Sequence, residues 1–158
     1  MPSPTSSKGP AHLRVLIPAT EIQQRIQELA QEIDQGFPDG PIIAIGLLKG
    51  SFIFMADLVR EIPRHVHCEF IGFSSYGKEK SSSGQVKLTR DLDGSIEGAN
   101  VLIVEDIIDT GRTLTYLMEL FWRRHPKSLQ IVTLLDKPSR REMPVTVHYT
   151  GFQIPDEF

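Results

Sequence analysis

The chain has 158 residues, 40% hydrophobic and 23% charged. That is the composition of one ordinary globular domain with a core of its own, and it excludes a disordered chain, a collagen-like repeat and a coiled-coil rod. Seventeen Lys and Arg against 20 Asp and Glu leave a net charge of −3, which speaks against a general nucleic-acid binder. The one cysteine, Cys68, excludes an intrachain disulfide and a Cys-rich zinc site and suits a reducing, cytoplasmic setting. No run approaches the ~18 apolar residues of a membrane span.

Residues 1–11, rich in Pro, Ser and Gly, read as a flexible tail. Residues 12–158 read as a single domain without repeats. The first helix is predicted from the capping-box spacing of Thr20 and Gln23. Ile22, Ile26, Leu29 and Ile33 recur on one face, and Gly36 and Pro38 end it. Ile42 to Leu48 is apolar without alternation, as in a strand buried on both faces. Lys49-Gly50-Ser51 breaks it, and a second helix runs from about Phe52 to Ile62 before Pro63. Cys68 to Ser74 is a further strand, with Cys68 read as a small buried hydrophobe. Residues 76–84 are polar and Gly/Ser-rich, a long mobile loop or hairpin tip with Val86 to Leu88 returning.

Asn100 opens Val101 to Val104, the most strand-like run, which ends in Glu105-Asp106-Ile107-Ile108-Asp109-Thr110-Gly111-Arg112-Thr113. A third helix follows, with Leu114, Leu117, Met118 and Phe121 on its apolar face and His125-Pro126 at its end. Trp122, on this helix, reads as core or subunit interface. Leu129 to Leu135 and Val145 to Tyr149 are the last strands. Strands alternating with amphipathic helices make this an α/β fold with a mainly parallel, twisted sheet flanked by helices. In such sheets ligands lie beyond the carboxyl ends of the strands.

The segment 105–113 stands at such an end. Thr110, Gly111 and Thr113 start a helix, where free N–H groups and the helix dipole favour an anion. Yet three carboxylates precede it and would repel a bare phosphate. They make sense if the ligand also brings hydroxyls, a metal or a proton. A sugar phosphate meets this description better than inorganic phosphate. Acidic residues at a helix start would account for any one of these side chains alone, but not for the whole string. Neither G-x-x-x-x-G-K-[ST] nor G-x-G-x-x-G occurs.

The run from Val101 to Thr113 resembles the phosphoribosyl-pyrophosphate motif of type I phosphoribosyltransferases, in the form of their hypoxanthine-guanine branch. Leu47-Leu48-Lys49-Gly50 is similar to that family's pyrophosphate loop, Ser75-Tyr76-Gly77 to its mobile catalytic loop, and Leu134-Leu135-Asp136-Lys137 to its purine-recognition segment. Gly151 to Phe158 is similar to the start of its purine-stacking segment.

The resemblance implies transfer of a phosphoribosyl group to a 6-oxopurine. Glu105 and Asp106 would hold the ribose hydroxyls and approach Mg²⁺ through water, and Asp109 would be the general base. Thr110, Gly111, Arg112 and Thr113 would cradle the 5′-phosphate. Lys49 and Gly50 would bind pyrophosphate on a backbone with a non-proline cis bond. Ser75 and Tyr76 would close over the reaction. Lys137 would donate to O6 of the purine, Phe158 would stack on it and Ile107 would pack on its other face. A homodimer or homotetramer is implied, with no nucleic-acid or membrane partner. Family members continue for some tens of residues past the position of Phe158, so an incomplete hood is expected. A non-catalytic phosphoribosyl-pyrophosphate sensor or a truncated subunit on the same fold is the alternative. Elsewhere, His65 and His67 read as a solvated strand edge, and Arg140 and Arg141 as weak evidence for nucleic acid.

Overall fold

A computed structural model describes residues 13–75 and 86–157. The tail at 1–11, the loop at 76–84 and Phe158 therefore lie outside the described residues. Three helices, α1 (Ala19–Gly36), α2 (Phe52–Glu61) and α3 (Arg112–Trp122), flank a sheet of β1 (Ile42–Leu48), β2 (Val66–Ser75), β3 (Val86–Arg90), β4 (Asn100–Ile108), β5 (Ser128–Asp136) and β6 (Tyr149–Gln153). The order across the sheet is β3-β2-β1-β4-β5-β6. Among the described residues only the β2–β3 pair is antiparallel; β2, β1, β4, β5 and β6 run in one direction. This is the mainly parallel α/β fold expected from the sequence.

The absence of alternation in β1 and β4 follows from packing on both faces. Ile42 and Ala44 of β1, with Leu102 and Val104 of β4, join a core built with Ile26, Leu29 and Ile33 of α1 and Phe54 and Leu58 of α2. Their chain neighbours Ile45, Val101 and Ile103 join Leu114, Leu117 and Phe121 of α3 in a second core on the opposite face. Each fully buried Leu, Ile or Phe contributes about 1.5–3 kcal/mol relative to exposure.

Four local expectations are corrected. Helix α1 starts at Ala19 behind Pro18, and no side chain caps it; Thr20 and Gln23 thus fall within the helix, where Thr20 has no end to cap. Cys68 is exposed, because β3 pairs only with Gly72–Ser75 and leaves the first half of β2 without an outer neighbour. Trp122 is 49% exposed at the end of α3, which overturns the core half of its reading and not the subunit-interface half. The last strand is Tyr149–Gln153 rather than 145–149. Val145 and Val147 bury against the second core from an irregular segment, which mimics a strand pattern in the sequence.

His148 makes the joint between that segment and β6. Its N–H donates to the carbonyl of Ile131 at 3.1 Å, and its Nδ1 accepts the Ile131 N–H at 3.0 Å. Partial burial holds the imidazole pKa below its ordinary 6.5, and a protonated Nδ1 has no lone pair with which to accept. Above pH 6.5 both folded and unfolded chains carry neutral His148. Below it the unfolded chain takes the proton first, so stability falls with pH. His148→Gln should remove that part of the loss, at most about 1 kcal/mol for one solvent-accessible hydrogen bond. Melting curves between pH 7 and 5.5 that drop equally in both proteins would reject this role.

Helix α3 begins behind Gly111, whose φ is 84°. A Cβ there would lie 2.7 Å from the Met143 carbonyl oxygen and 3.0 Å from Cδ of Arg141. Gly111→Ala therefore meets both a left-handed backbone and a clash with main chain. It should cost about 1–3 kcal/mol, measured as a lower denaturant midpoint at unchanged slope.

Candidate active site

The ladder between β1 and β4 ends at Gly46↔Val104, whereas that between β4 and β5 continues to Ile108↔Asp136. Residues 105–108 are thus strand, not loop, with β1 turned away from them. Ile108 is buried in the second core and Ile107 is half-buried. Two acidic residues followed by two apolar ones put one of each on either face of this strand end.

Where β1 departs, a cavity of about 300 Å³ opens, lined by Leu47, Leu48, Gly50, Phe73, Ser74, Val86, Glu105, Asp106 and Thr113. The Leu48–Lys49 peptide bond is cis, as the resemblance implied, and Lys49 is exposed beside the cavity. Gly50 lies against Asp106: a Cβ at position 50 would stand 2.6 Å from Oδ2 of that carboxylate. No larger residue fits while Asp106 stays in place. A second hollow of about 120 Å³ adjoins the first, sharing Glu105 and Thr113, and is lined by Ile107 through Leu114. Asp109, Thr110, Gly111, Arg112 and Thr113 therefore form one concave wall.

Glu105 and Asp106 are half-buried side by side. Burial, followed by a hydrogen bond to the Asp106 carboxylate and that group's charge, pushes the Glu105 pKa up to about 9, against the opposing effect of the Asp106 N–H. That N–H donates to Oε1 of Glu105 at 3.1 Å, and the Ile107 N–H donates to Oδ1 of Asp106 at 2.9 Å. Two crowded carboxyl groups suit a ligand rich in hydroxyl donors or a hard divalent cation. No group of three or more His, Cys, Asp or Glu forms a metal cage among the described residues. A cation held here takes most of its ligands from substrate and water, the usual habit of Mg²⁺.

Beyond β5, Asp136 and Lys137 are both buried, and the Lys137 N–H donates to the Ile108 carbonyl at 3.0 Å. This bond ties the turn after β5 to the end of β4. The Lys137 ammonium lies 3.6 Å from Asp156.

The turn also supplies residues to which the sequence assigned no part in the site. Arg141 donates to the Asp109 carbonyl at 3.0 Å and to Oδ1 of Asp136 at 2.7 Å. Arg140 donates from Nε to Oδ1 of Asp109 at 3.1 Å and lies 3.5 Å from Asp156. Arg112 is an exposed partner of Glu142. The signal available was the pair of arginines three and four residues after Lys137, which now have local carboxylate partners. His67 pairs with Glu69 at 2.9 Å, away from this region. Tyr76 and Phe158 lie outside the described residues, and of Ser75 only the backbone, at the end of β2, is described.

The phosphoribosyl transferase domain family matches residues 18–158. The hypoxanthine-guanine phosphoribosyltransferase of Bacillus subtilis strain 168 is 49% identical over 145 residues, which cover 92% of this chain and 81% of that protein. The hypoxanthine phosphoribosyltransferase of Escherichia coli K12 is 51% identical over 148 residues, covering 92% and 83%. The crystal structure of a Bacillus anthracis hypoxanthine-guanine phosphoribosyltransferase superposes with a TM-score of 0.87 at 48% identity, covering 92% of this chain and 86% of that one. With the whole sheet and the strand-end site inside the matched region, the chain belongs to the phosphoribosyl transferase domain family.

Proposed function

We propose that this chain is a purine-salvage enzyme. It transfers the phosphoribosyl group of 5-phosphoribosyl 1-pyrophosphate to N9 of hypoxanthine or guanine, giving IMP or GMP and pyrophosphate. The observation that carries the reading is the meeting, at the carboxyl ends of three parallel strands, of an acidic pair, a helix N-terminus and a buried lysine. Relatives at about half identity bear the names of this activity.

In this reading the N–H groups of residues 110–113 and the hydroxyls of Thr110 and Thr113 hold the 5′-phosphate at the start of α3. Glu105 and Asp106 accept from the ribose hydroxyls. Lys49 and the backbone at Gly50 hold the pyrophosphate, where a cation balances charge as the C1′–O bond breaks. N9 attacks C1′, the N9–C1′ bond forms, and the N7 proton passes to Asp109. Lys137, with donors and no acceptor, favours the O6 of a 6-oxopurine over the amino group of adenine. Ile107 and Phe158 sandwich the base. Ser75 and Tyr76 keep water from the cation-like sugar carbon.

Glu105 and Asp106 would hold Mg²⁺, mainly through water, and the ion would supply charge neutralisation of the pyrophosphate. The apolar side chains of Leu48, Phe52 and Ile53, 40–62% exposed beside the pyrophosphate loop, support assembly into a homodimer or homotetramer. No helix among the described residues is long and apolar enough to cross a membrane, and the reading places the reaction in the cytoplasm.

The test is a panel of hypoxanthine, guanine, xanthine, adenine and uracil with phosphoribosyl pyrophosphate and Mg²⁺. Nucleotide should form from hypoxanthine or guanine. Asp109→Asn should lower turnover on the order of 100-fold or more while sparing phosphoribosyl-pyrophosphate affinity; near-normal turnover would remove Asp109 as the base. Lys137→Ala should raise KM for the 6-oxopurine on the order of tenfold or more, as expected for loss of a hydrogen bond from a charged donor. An equal loss in phosphoribosyl-pyrophosphate binding would make the lysine structural.

A further inference from the structure

Asp109 follows β4 on the wall of the smaller hollow, and its side chain is 46% exposed. Among the described residues no buried side chain fixes its orientation. Its backbone is fixed, since Arg141 holds the carbonyl and is itself anchored on Asp136. Its carboxylate is held by a different residue. Arg140 donates from Nε to Oδ1 at 3.1 Å, and among the described residues Oδ2 accepts no hydrogen bond. Arg140 is steadied in turn by Asp156, 3.5 Å from Nη1, and Asp156 stands 3.6 Å from the Lys137 ammonium. A short 3₁₀ turn, Pro138–Arg140, follows Lys137, and the Arg140 N–H donates to the Lys137 carbonyl at 3.1 Å.

We propose that Arg140 is a positioning residue: it holds Asp109 through Oδ1, leaves Oδ2 for the purine N7 proton, and through Asp156 ties the base that reads N7 to the lysine that reads O6. This deepens the reading given above and rests on Asp109 as the base. A carboxylate on an exposed loop rotates freely and hydrates, and proton transfer needs it within hydrogen-bond reach of the purine in one orientation. A guanidinium, planar and anchored at both ends, restricts that rotation with little further loss of its own freedom. An arginine remains a cation across the working pH range, and the neighbouring Asp109 and Asp156 favour that charge further.

The experiment is a double-mutant cycle on the full chain. Arg140→Gln and Arg140→Ala are made in the wild type and in Asp109→Asn, and nucleotide is accumulated over hours so that slow variants are measured. Either Arg140 change should lower kcat with hypoxanthine about tenfold, with KM for phosphoribosyl pyrophosphate within about twofold. In the Asp109→Asn background the same change should cost less than about twofold, because a residue acting through Asp109 has nothing left to position. Unchanged kcat in the Arg140 variants, or an equal loss in both backgrounds, overturns the proposal. A merely structural arginine would lower all substrate affinities alike and would do so in both backgrounds. Failure of the underlying reading looks different: Asp109→Asn itself would then turn over at close to the normal rate.

Discussion

The site depends on one mismatch of ladder lengths. β4 is paired on both sides as far as Val104, but β1 leaves at Gly46 while β5 stays to Asp136. Had β1 continued, the acidic pair would lie inside a closed sheet, where burying two carboxylates without partners is prohibitive. Had β5 left as well, residues 105–108 would have no ladder to hold them. The half-open strand end does both jobs: it fixes Glu105 and Asp106 on a paired backbone and leaves room for a ligand on their other side. Glu105 records the cost, with its pKa pushed up to about 9 by burial and by its neighbour. The departing β1 also brings Gly50 against Asp106, so a Cβ at position 50 would displace that carboxylate.

The turn after β5 balances that negative charge from a second direction. Four of the charged groups there, Asp136, Lys137, Arg140 and Arg141, lie within six residues of chain. Arg141 with Asp136 is the more buried pair, and removing either partner would strand a buried charge. Its work is to hold the Asp109 backbone to the end of β5. Arg140 with Asp109 is half-exposed, and such pairs add little to stability. The positioning role proposed for Arg140 gives that pair a purpose other than folding: it places the Asp109 side chain.

Much of this was legible in the sequence. Period and apolar content gave the helices and β1, and the change from apolar to acidic after Val104 marked the site. What escaped has a common cause. Cys68 and Trp122 are exposed although their elements are amphipathic, because burial depends on which neighbour covers an element, and local pattern does not encode neighbours. Val145 and Val147 imitate a strand because a segment lying across a core can bury alternate residues without ladder bonds. The roles of Arg140 and Arg141 were hidden for the same reason: their partners, Asp109 and Asp136, are separated in sequence or sit across a turn, and only the register of β4 with β5 brings them together. The family resemblance supplied roles for Lys49 and Lys137 that residue type alone leaves open.

An acidic pair beside an anion site looks self-defeating until the ligand's own polarity is considered. Phosphates alone would crowd an acidic pair already so close that the Glu105 pKa is pushed up to about 9, and a neutral sugar alone would leave the N–H groups at the start of α3 unpaired. A ligand with a phosphate at one end, a diol in the middle and a second anion at the other end satisfies every group at once, whereas fragments satisfy only some. In the proposed reading the site therefore prefers the whole phosphoribosyl donor to its parts. Binding energy from the two anionic ends then becomes available to hold the reacting carbon against the base, as positioning of a sugar between fixed ends requires.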